Sequence, residues 1–318
     1  MMGLARIAHH VDSFFQLMKG DMEKHFYFAY GLCISSELCL PELPLANRPV
    51  DVEITLGKLD RSHVSCSNDR SGFYVIGPCI YRYYKNVGAF KIDGGHNIVV
   101  DPDPEVDERI LRSFLLGNIM CAMLHQRGLL ALHGSAIAID GKAVAFLGQS
   151  GSGKSSIAIS FMKKGCTGMA DDLVAVGVSN LPMVFPAFPQ FKLPQDVAES
   201  LGYDQKNLSC ISPQESKYAV GPDQNRFLLD ALPLGRIYLL EKGDTMQIER
   251  LNKQESMIEL IRNSRAVDSL CAGDKLQSHF HQCAKVAEDI PMRRLIRPND
   301  LNSFGDLIQM IEKDIRSS

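Results

Sequence analysis

A glycine-rich run near the middle of the chain, GQSGSGKS at residues 148–155, has the residue types and spacing of a loop that binds nucleotide phosphates. In such a loop, glycines let successive backbone N–H groups point at phosphate oxygens, the lysine adds a positive charge, and the serine hydroxyl coordinates Mg²⁺. Ser155 is therefore the expected metal ligand of the loop. The residues expected to contact a nucleoside triphosphate are Gly148, Gln149, Ser150, Gly151, Ser152, Gly153, Lys154, Ser155 and Ser156.

Two adjacent acids, Asp171 and Asp172, stand inside an otherwise apolar run at residues 169–178 that predicts a buried strand. Paired carboxylates at the edge of such a strand are unfavourable unless a cation lies beside them. Magnesium would supply that cation, so that one carboxylate holds the metal or its water while the other accepts a proton from an attacking hydroxyl. A solvated acidic turn or a helix cap is the alternative.

Several other side chains are weaker candidates for a site. His133 lies next to Gly134 in the apolar run at residues 129–139, where a histidine is more often a hydrogen-bonded core residue than a functional one. Three basic residues after the acid pair could neutralise a transferred phosphate or meet a peptide carboxylate, although solvated surface charge is the commoner role. They are Lys192, Lys217 and Arg226. The aromatic and proline-rich residues 185–192 are typical of a peptide groove or of core packing.

The elements around the loop are those that a phosphate-binding loop requires. A strand is predicted at residues 143–147 directly before it, and a helix at residues 155–164 directly after it. Gly165 is suited to the position that follows the last helical turn. Because strand, loop and helix occur in this order, a chance glycine loop is the weaker explanation of the motif.

The rest of the chain indicates an α/β fold, with a P-loop core and a smaller, mainly β domain before it. We expect an amphipathic helix at residues 1–25, a β-rich domain at 26–104, a connecting helix at 105–128 and the P-loop domain at 129–318. Met22 is an alternative start of the natural chain. The polar stretch at residues 207–224, rich in Ser, Pro and Gly, predicts a mobile loop.

The amino-acid composition of the chain limits which binding partners and which cellular compartment are expected. The chain has 34 Lys and Arg against 37 Asp and Glu, so it carries no basic footprint for nucleic acid. Nine cysteines without a C-x-x-C pair favour neither a disulfide framework nor a zinc site, which suits a reducing compartment. No apolar run approaches the roughly 20 residues that span a bilayer. A cytoplasmic protein without a membrane partner is the expectation.

Taken in order, His133-Gly134, the loop at 148–155, Gly165 and Ala170-Asp171-Asp172 resemble the catalytic domain of HPr kinase/phosphorylase. The resemblance covers residues 129–178. It implies that His133 and Lys154 are active-site residues, that Ser155 binds magnesium, and that Asp172 deprotonates the acceptor serine with Asp171 beside it as a metal ligand. Ser156-Ile157 stands where that family has Glu-Thr, and its later Glu-x-Arg-Gly segment does not occur in this chain.

The first half of the chain is similar instead to HPr-kinase-like proteins associated with lasso peptide biosynthesis. The matching segments, in order, are Tyr30-Gly31-Leu32, Ser36-Glu37-Leu38, Leu40-Pro41-Glu42-Leu43 and Asp51-Val52-Glu53-Ile54. Kinases of that group phosphorylate a precursor peptide, in the best understood cases at its C-terminal serine. The resemblance therefore implies that ATP and Mg²⁺ are the cofactors and that a peptide serine is the acceptor.

These observations predict an ATP-dependent serine kinase whose partner is a peptide or small protein. Two alternatives stay open. One is a kinase that acts on the HPr carrier protein, and the other is a nucleotide-sensing binding module with weak ATPase activity. A homo-oligomer is compatible with the resemblance but is not required by the sequence.

Overall fold

A computed structural model describes residues 24–62, 71–203, 209–212, 217–221, 226–271, 275–298 and 304–317. The amphipathic helix expected at residues 1–25 lies outside the described residues except for its last two positions, and so does Met22. The protein is of mixed α/β structure, with three sheets and several helices. None of the helices in the described ranges is both long and apolar enough to cross a membrane.

The β-rich first half forms one seven-stranded sheet, as the short β-forming runs predicted. The strand order is β1-β2-β3-β7-β6-β5-β4, with β3 parallel to both of its neighbours and the other pairs antiparallel. Side chains on one face of the sheet, such as Ile54, Phe90 and Ile98, are fully buried. The strands are β1 (His25–Ala29), β2 (Leu32–Ser36), β3 (Val52–Leu56), β4 (Ser71–Ile76), β5 (Cys79–Tyr84), β6 (Gly88–Asp93) and β7 (Asn97–Pro102).

A helical segment follows this sheet, in the region where a connecting helix is expected at residues 105–128. It consists of α1 (Glu108–Phe114), a π-helical turn (Leu115–Ile119) and α2 (Met120–Gln126). The helix begins at 108 because the Asp107 carboxylate caps it and accepts a hydrogen bond from the backbone N of Arg109 at 2.8 Å. Its buried face belongs to a hydrophobic core that includes side chains from both halves of the chain.

The second half contains a nine-stranded sheet in which β10, β17 and β19 run parallel, with β17 in the middle. Antiparallel pairs extend it on both sides: β9 pairs with β10 and β11 pairs with β9, while β13, β12 and β8 continue in that order from β17, and β18 pairs with β19. The strands are β8 (Leu130–Leu132), β9 (Gly134–Ile139), β10 (Lys142–Leu147), β11 (Thr167–Ala170), β12 (Val174–Val178), β13 (Pro182–Phe185), β17 (Leu232–Lys242), β18 (Gln247–Arg250) and β19 (Met292–Arg297).

Helices and a small third sheet complete the second half. A second hydrophobic core lies between α3, α7 and the face of the large sheet that carries Phe146 and Tyr238. The helices are α3 (Lys154–Lys163), α4 (Gln195–Ser200), α5 (Lys253–Arg262), α6 (Lys275–Asp289) and α7 (Phe304–Arg316), and a 3₁₀ turn covers Val267–Cys271. The third sheet has the order β14 (Phe191–Pro194), β16 (Lys217–Val220) and β15 (Ser209–Ser212).

Two apolar runs that predict single strands are each divided into two strands. The run at 129–139 breaks at His133, so that β8 pairs with β12 while β9 pairs with β10 and β11. The run at 169–178 breaks at residues 171–173, between β11 and β12. Both breaks occur where the chain moves from one part of the sheet to another, and they lie side by side. The acid pair is therefore in a turn between two strands rather than at the edge of one.

The structure also corrects the prediction of a mobile loop at residues 207–224. Its described residues include β15 and β16, which pair with each other and, through β16, with β14. Hydrogen bonds to another part of the chain stabilise strands there, although the local composition favours a loop.

Candidate active site

The glycine-rich loop connects β10 to α3, as its sequence requires. Gly148, Gly151 and Gly153 have φ values of 138°, 78° and 97°, a region that favours glycine. Gly148 also passes close to β17, because a Cβ atom at this position would lie 2.7 Å from the backbone O of Leu240. The loop backbone therefore depends on glycine at these positions.

The side chain of Lys154 is buried inside the loop. Its Nζ donates hydrogen bonds to the backbone O of Gly148 at 2.7 Å and of Gln149 at 2.9 Å. Burial lowers the pKa of Lys154 to about 8, although the charges of Asp171 and Asp172 act in the opposite direction. The ammonium group is thus held beneath the loop without a direct carboxylate partner among the described residues.

Asp171 is a buried carboxylate with three hydrogen-bond donors. Its Oδ1 accepts from the hydroxyls of Ser135 at 2.6 Å and Ser155 at 2.7 Å, and its Oδ2 accepts from the backbone N of Lys192 at 2.7 Å. Burial raises the pKa of Asp171 against the effect of these hydrogen bonds. The contact with Ser155 joins the acid pair directly to the first turn of α3.

Ser155 and Asp171 have the chemistry of a magnesium site. Both offer hard oxygen atoms, and Mg²⁺ is usually held by one or two protein oxygens together with phosphates and water rather than by an all-protein cage. Across the described ranges there is no cluster of three or more His, Cys, Asp or Glu side chains able to bind a metal. A metal shared with a nucleotide fits the donor set at this position, whereas zinc does not.

Asp172 occupies the turn with a φ of 68°, and cationic or hydrogen-bonding side chains surround its carboxylate. Lys192 Nζ lies 3.1 Å from Oδ2, His133 Nδ1 lies 3.3 Å from Oδ1, and a guanidinium nitrogen of Arg265 contacts Oδ1. Burial alone would raise the pKa of Asp172, but these neighbours outweigh it and hold the pKa well below its usual range. The carboxylate is therefore ionised and fixed in orientation.

His133 stands at the break between β8 and β9, where its ring faces the acid pair. Besides the carboxylate of Asp172, the Nδ1 atom lies 3.1 Å from the backbone O of the same residue. Both neighbours are acceptors, so Nδ1 carries the proton and donates it. The adjacent Gly134 allows β9 to lie close to β10, because a Cβ atom there would lie 2.6 Å from Leu147 Cδ2 and 2.7 Å from Phe146 O.

Two of the three basic candidates lie at this site and one does not. Lys192 and Lys217 line a 300 Å³ cavity in front of the loop, together with His133, Lys154 and the acid pair. Arg226 instead donates to the backbone O of Met162 at 3.3 Å, near the last turn of α3. Met162 is eight positions after Lys154 in the helix, which corresponds to about 12 Å.

The remaining loop residues divide between two sides of the loop. Ser150, Gly151, Gly153, Ser155 and Ser156 line the 300 Å³ cavity. Gly148, Gln149, Ser150 and Ser152 line another cavity of 680 Å³, on the side of Leu240 and Asn263. The Ser152 hydroxyl is buried and has no hydrogen-bond partner within the described part of the chain.

Sequence reasoning missed two arginines that lie against the site. Arg265 follows the end of α5 and donates to the backbone O of Asp172 at 3.1 Å, in addition to its contact with the carboxylate. Arg297, at the end of β19, donates to the backbone O of Ser152 at 2.8 Å. No local motif distinguishes either arginine, because long-range sheet pairing determines both positions.

Arg297 is a buried cation without a carboxylate partner among the residues that the structure describes. It is 4% exposed, its Nε has no hydrogen-bond partner there, and burial lowers its pKa. The other buried arginines Arg82, Arg236 and Arg293 each pair with an aspartate. A buried guanidinium with no described carboxylate partner, beside a glycine-rich loop, favours an anionic ligand at this place.

Replacing Gly153 by alanine is expected to lower the free energy of unfolding by about 3 kcal/mol, from backbone strain together with displacement of the buried Arg297 guanidinium from its hydrogen bond to Ser152 O. The new Cβ would overlap Arg297 Nη2 on a backbone whose φ is 97°. The matched control is Gly151→Ala, where φ is 78° but no atom of the described residues lies within 4 Å of the added atom. That control should lose only about 1 kcal/mol. Urea unfolding checks both values, and equal losses would contradict the contact with Arg297.

Asp171, Asp172 and Lys192 form a wall shared by two cavities. One is the 300 Å³ cavity in front of the loop, and the other, of 440 Å³, lies towards the β-rich half. None of the residues from 148 to 156 lines the second cavity. The ionised Asp172 carboxylate therefore stands between a cavity that contains the loop and one that does not.

Comparison with known proteins adds little to this geometry. The sequence matches no protein-family model and no curated protein. One solved structure with some similarity is that of the Hpr(Ser) kinase/phosphatase from Coxiella burnetii, at 11% sequence identity and a TM-score of 0.31. The match covers 58% of this chain and 95% of that chain. Similarity at this level carries no argument about function, so the chemistry of the site rests on its own residues.

Proposed function

We propose that this protein is a kinase that transfers the γ-phosphoryl group of ATP to a serine hydroxyl of a peptide. The observation that carries the proposal is the arrangement of the two acids at the loop. Asp171 contacts Ser155 in the first turn of α3, and the ionised Asp172 next to it faces a second cavity. A metal-binding carboxylate and a proton-accepting one are the two acids that phosphoryl transfer to an alcohol requires.

ATP would bind in the 300 Å³ cavity with its phosphates on the glycine-rich loop. The N-terminus of α3 and the backbone N–H groups of residues 148–155 favour an anion there. Ser155 and Asp171 would hold Mg²⁺, which supplies neutralising charge at the β- and γ-phosphate oxygens when bound. Lys154 would exchange its contacts with the carbonyl groups of Gly148 and Gln149 for phosphate oxygens.

In the transfer step, residues of the site accept the proton and stabilise the charge of the moving phosphoryl group. The serine oxygen forms a bond to the γ-phosphorus while the bond from that phosphorus to the bridging oxygen breaks, and ADP leaves. The hydroxyl proton passes to the carboxylate of Asp172. His133 and Arg265 keep this carboxylate oriented, and Lys192 neutralises charge on the side where the phosphoryl group moves. Positioning and charge stabilisation account for most of the catalysis in such reactions.

The precursor peptide of a lasso biosynthesis system, phosphorylated at its C-terminal serine, is the preferred acceptor. The similarity of residues 30–54 to kinases of that group supports this choice. HPr is the second candidate acceptor because residues 129–178 resemble the HPr kinase catalytic domain. The departures at Ser156-Ile157 and the missing Glu-x-Arg-Gly segment argue against HPr.

Mass spectrometry of peptides incubated with the protein, ATP and Mg²⁺ tests the proposed function. A gain of one phosphate on serine-terminated precursor peptides is the expected result. Modification of HPr with no change in any peptide would replace the acceptor and keep the kinase. Tight ATP binding with no transfer to any acceptor would instead favour a nucleotide-sensing module and overturn the proposal.

A rise in pH from 7 to 9 is expected to weaken ATP binding by about tenfold. The pKa of Lys154 is lowered to about 8 by burial, so the free protein loses this proton across the interval. Bound phosphate would stabilise the charged form of Lys154, which then keeps its proton. The affinity for ATP therefore decreases at pH values above the pKa of Lys154 in the free protein. Isothermal titration calorimetry at pH 7, 8 and 9 measures the change.

The control for this pH dependence is Lys154→Arg, because a guanidinium stays charged over the whole interval. Its affinity for ATP should be nearly constant between pH 7 and 9, whatever its absolute value. A flat profile for the unmodified protein would show that Lys154 does not titrate in the binding step.

A further inference from the structure

The 440 Å³ cavity behind the acid pair is built from both halves of the chain. Tyr30, Pro41 and Glu42 come from the β-rich half, and Arg112 and Ser113 come from α1. The turn at 171–173 and the segments 188–192 and 219–221 supply most of the remaining wall. By contrast, none of the described residues before His133 lines the cavity in front of the loop. The two cavities thus differ in which half of the protein shapes them.

Contacts between the halves hold this wall in place. The backbone N of Tyr30, in the turn between β1 and β2, donates to the backbone O of Pro186 at 2.7 Å. The ring of Tyr30 packs edge-on against Phe188, with ring centroids 6.5 Å apart. A Cβ atom on Gly31 would lie 2.7 Å from Phe185 Cδ1, so glycine permits the close approach of this turn. The cavity is therefore preformed rather than assembled from loops without tertiary contacts.

We propose that this cavity binds the acceptor, and that the acceptor is a short unfolded peptide segment rather than the surface of a folded protein. The inference rests on the proposed kinase function and adds the location and the class of its second substrate. In-line transfer places the attacking hydroxyl and the leaving ADP on opposite sides of the phosphorus. Two cavities that meet at Asp171, Asp172 and Lys192 provide those two sides.

The size of the cavity favours a flexible segment. Concave sites for small ligands measure about 300–1,000 Å³, and 440 Å³ lies in the lower part of that range. A folded partner instead covers about 800 Å² on a broad surface. Only the end or a bend of an extended chain can bring a serine hydroxyl through such a cavity to Asp172.

The lining has the polar and apolar groups that suit a peptide. Leu116, Phe188 and Pro189 are apolar, while Glu42 and Arg112, which also line the cavity, form a 2.8 Å ion pair. One oxygen of the Glu42 carboxylate is buried without a hydrogen-bond partner in the described ranges, and so is the Tyr30 hydroxyl. Backbone amides of a bound segment carry both the N–H donors and the C=O acceptors that such groups need.

Filling the cavity should therefore prevent peptide phosphorylation without affecting ATP. Ser113→Trp places an indole at the cavity wall, and phosphorylation of a degenerate peptide library with a single serine should decrease by about tenfold or more because the acceptor is displaced. The dissociation constant for ATP should stay within about twofold of that of the unmodified protein, since Ser113 does not line the loop cavity. Radiolabel transfer from ATP and calorimetry give the two quantities.

One variant separates filling of the cavity from damage to α1. Glu108→Trp adds the same side chain to an exposed position of this helix that does not line the cavity. It should transfer phosphate as the unmodified protein does. If Ser113→Trp also labels the library normally, the acceptor does not bind in this cavity and the inference is overturned.

Labelling of a folded protein in the same assay tests the proposed class of acceptor. If the unmodified protein labels folded HPr at least as well as it labels any unfolded peptide, the proposed class of acceptor is wrong although the kinase function stands. If the unmodified protein labels neither, the kinase function itself fails and the acceptor cavity fails with it. Labelling of peptides alone, lost only in Ser113→Trp, supports both.

Discussion

Replacing Asp172 by asparagine should decrease the rate of phosphoryl transfer by about 10²- to 10⁴-fold, the usual contribution of a general base. Asparagine preserves the size of the side chain but cannot accept the hydroxyl proton. The neighbours of Asp172 hold its pKa well below the usual range, so in the unmodified protein it is ionised before the acceptor binds. Single-turnover transfer from ATP to a serine peptide measures the effect.

Nucleotide binding should survive this substitution. His133, Lys192 and Arg265 would lose a negative neighbour, and the more positive site should bind the ATP phosphates at least as tightly as before. Calorimetric titration with ATP and Mg²⁺ checks this point. Loss of transfer together with loss of ATP binding would indicate a structural role for Asp172 rather than a role in the chemical step.

Asp196→Asn is the matched control for the substitution of Asp172. Asp196 lies at the rim of the same 300 Å³ cavity and is exposed, so the change of charge is identical while the position differs. This control should keep at least half of the transfer rate, because exposed charges at such distances are screened by solvent. Full transfer by Asp172→Asn would remove Asp172 from the role of base.

Replacing Lys154 by alanine should weaken ATP binding by about 10- to 150-fold, which corresponds to about 1.5–3 kcal/mol for hydrogen bonds to a charged group. Transfer should decrease further, by about 10²- to 10³-fold at saturating ATP, because the lysine also stabilises charge that develops during the reaction. ATP titrations and initial rates at saturating ATP separate the two effects.

The stability of the protein without nucleotide distinguishes this functional role from a structural one. Burial lowers the pKa of Lys154, so the folded protein disfavours the charged form of this side chain. Its removal should therefore leave the unfolding temperature unchanged or raise it. A large decrease in that temperature would mean that Lys154 supports the fold.

Lys163→Ala provides the control on the same helix. Lys163 is exposed near the last turn of α3, with its Nζ 4.9 Å from the centre of the Tyr203 ring. The substitution removes one positive charge and should change neither ATP affinity nor transfer measurably. Equal losses in Lys154→Ala and Lys163→Ala would point to a general effect of charge instead of a contact in the loop.

Local parts of the site could be predicted from the sequence because their physical basis is local. The strand at 142–147, the loop and the helix at 154–163 follow one another in the chain. The positive φ angles of the loop glycines and the start of the helix depend only on neighbouring residues. The acid pair could be recognised because two carboxylates in an apolar run need a cation. Lys192 was a candidate on the basis of charge alone, and its contact with Asp172 became visible only in the folded chain.

The breaks at His133 and at residues 171–173 could not be predicted in this way. A buried strand that continues and one that ends and moves to another part of the sheet have the same apolar pattern, so both runs predict single strands. Strand pairing far along the chain decides between the two possibilities. The same limit explains β15 and β16, whose polar composition favours a loop although β16 pairs with β14.

The sequence by itself determined that a glycine-rich loop lies between a strand and a helix, and that two acids follow it. Only the tertiary structure decided what surrounds them. Arg265 and Arg297 reach the site from positions 93 residues or more beyond the acid pair or the loop, and Tyr30 reaches the second cavity from the other half of the chain. Such contacts depend on packing and sheet pairing over the whole chain, which leave no short-range pattern in the residues themselves.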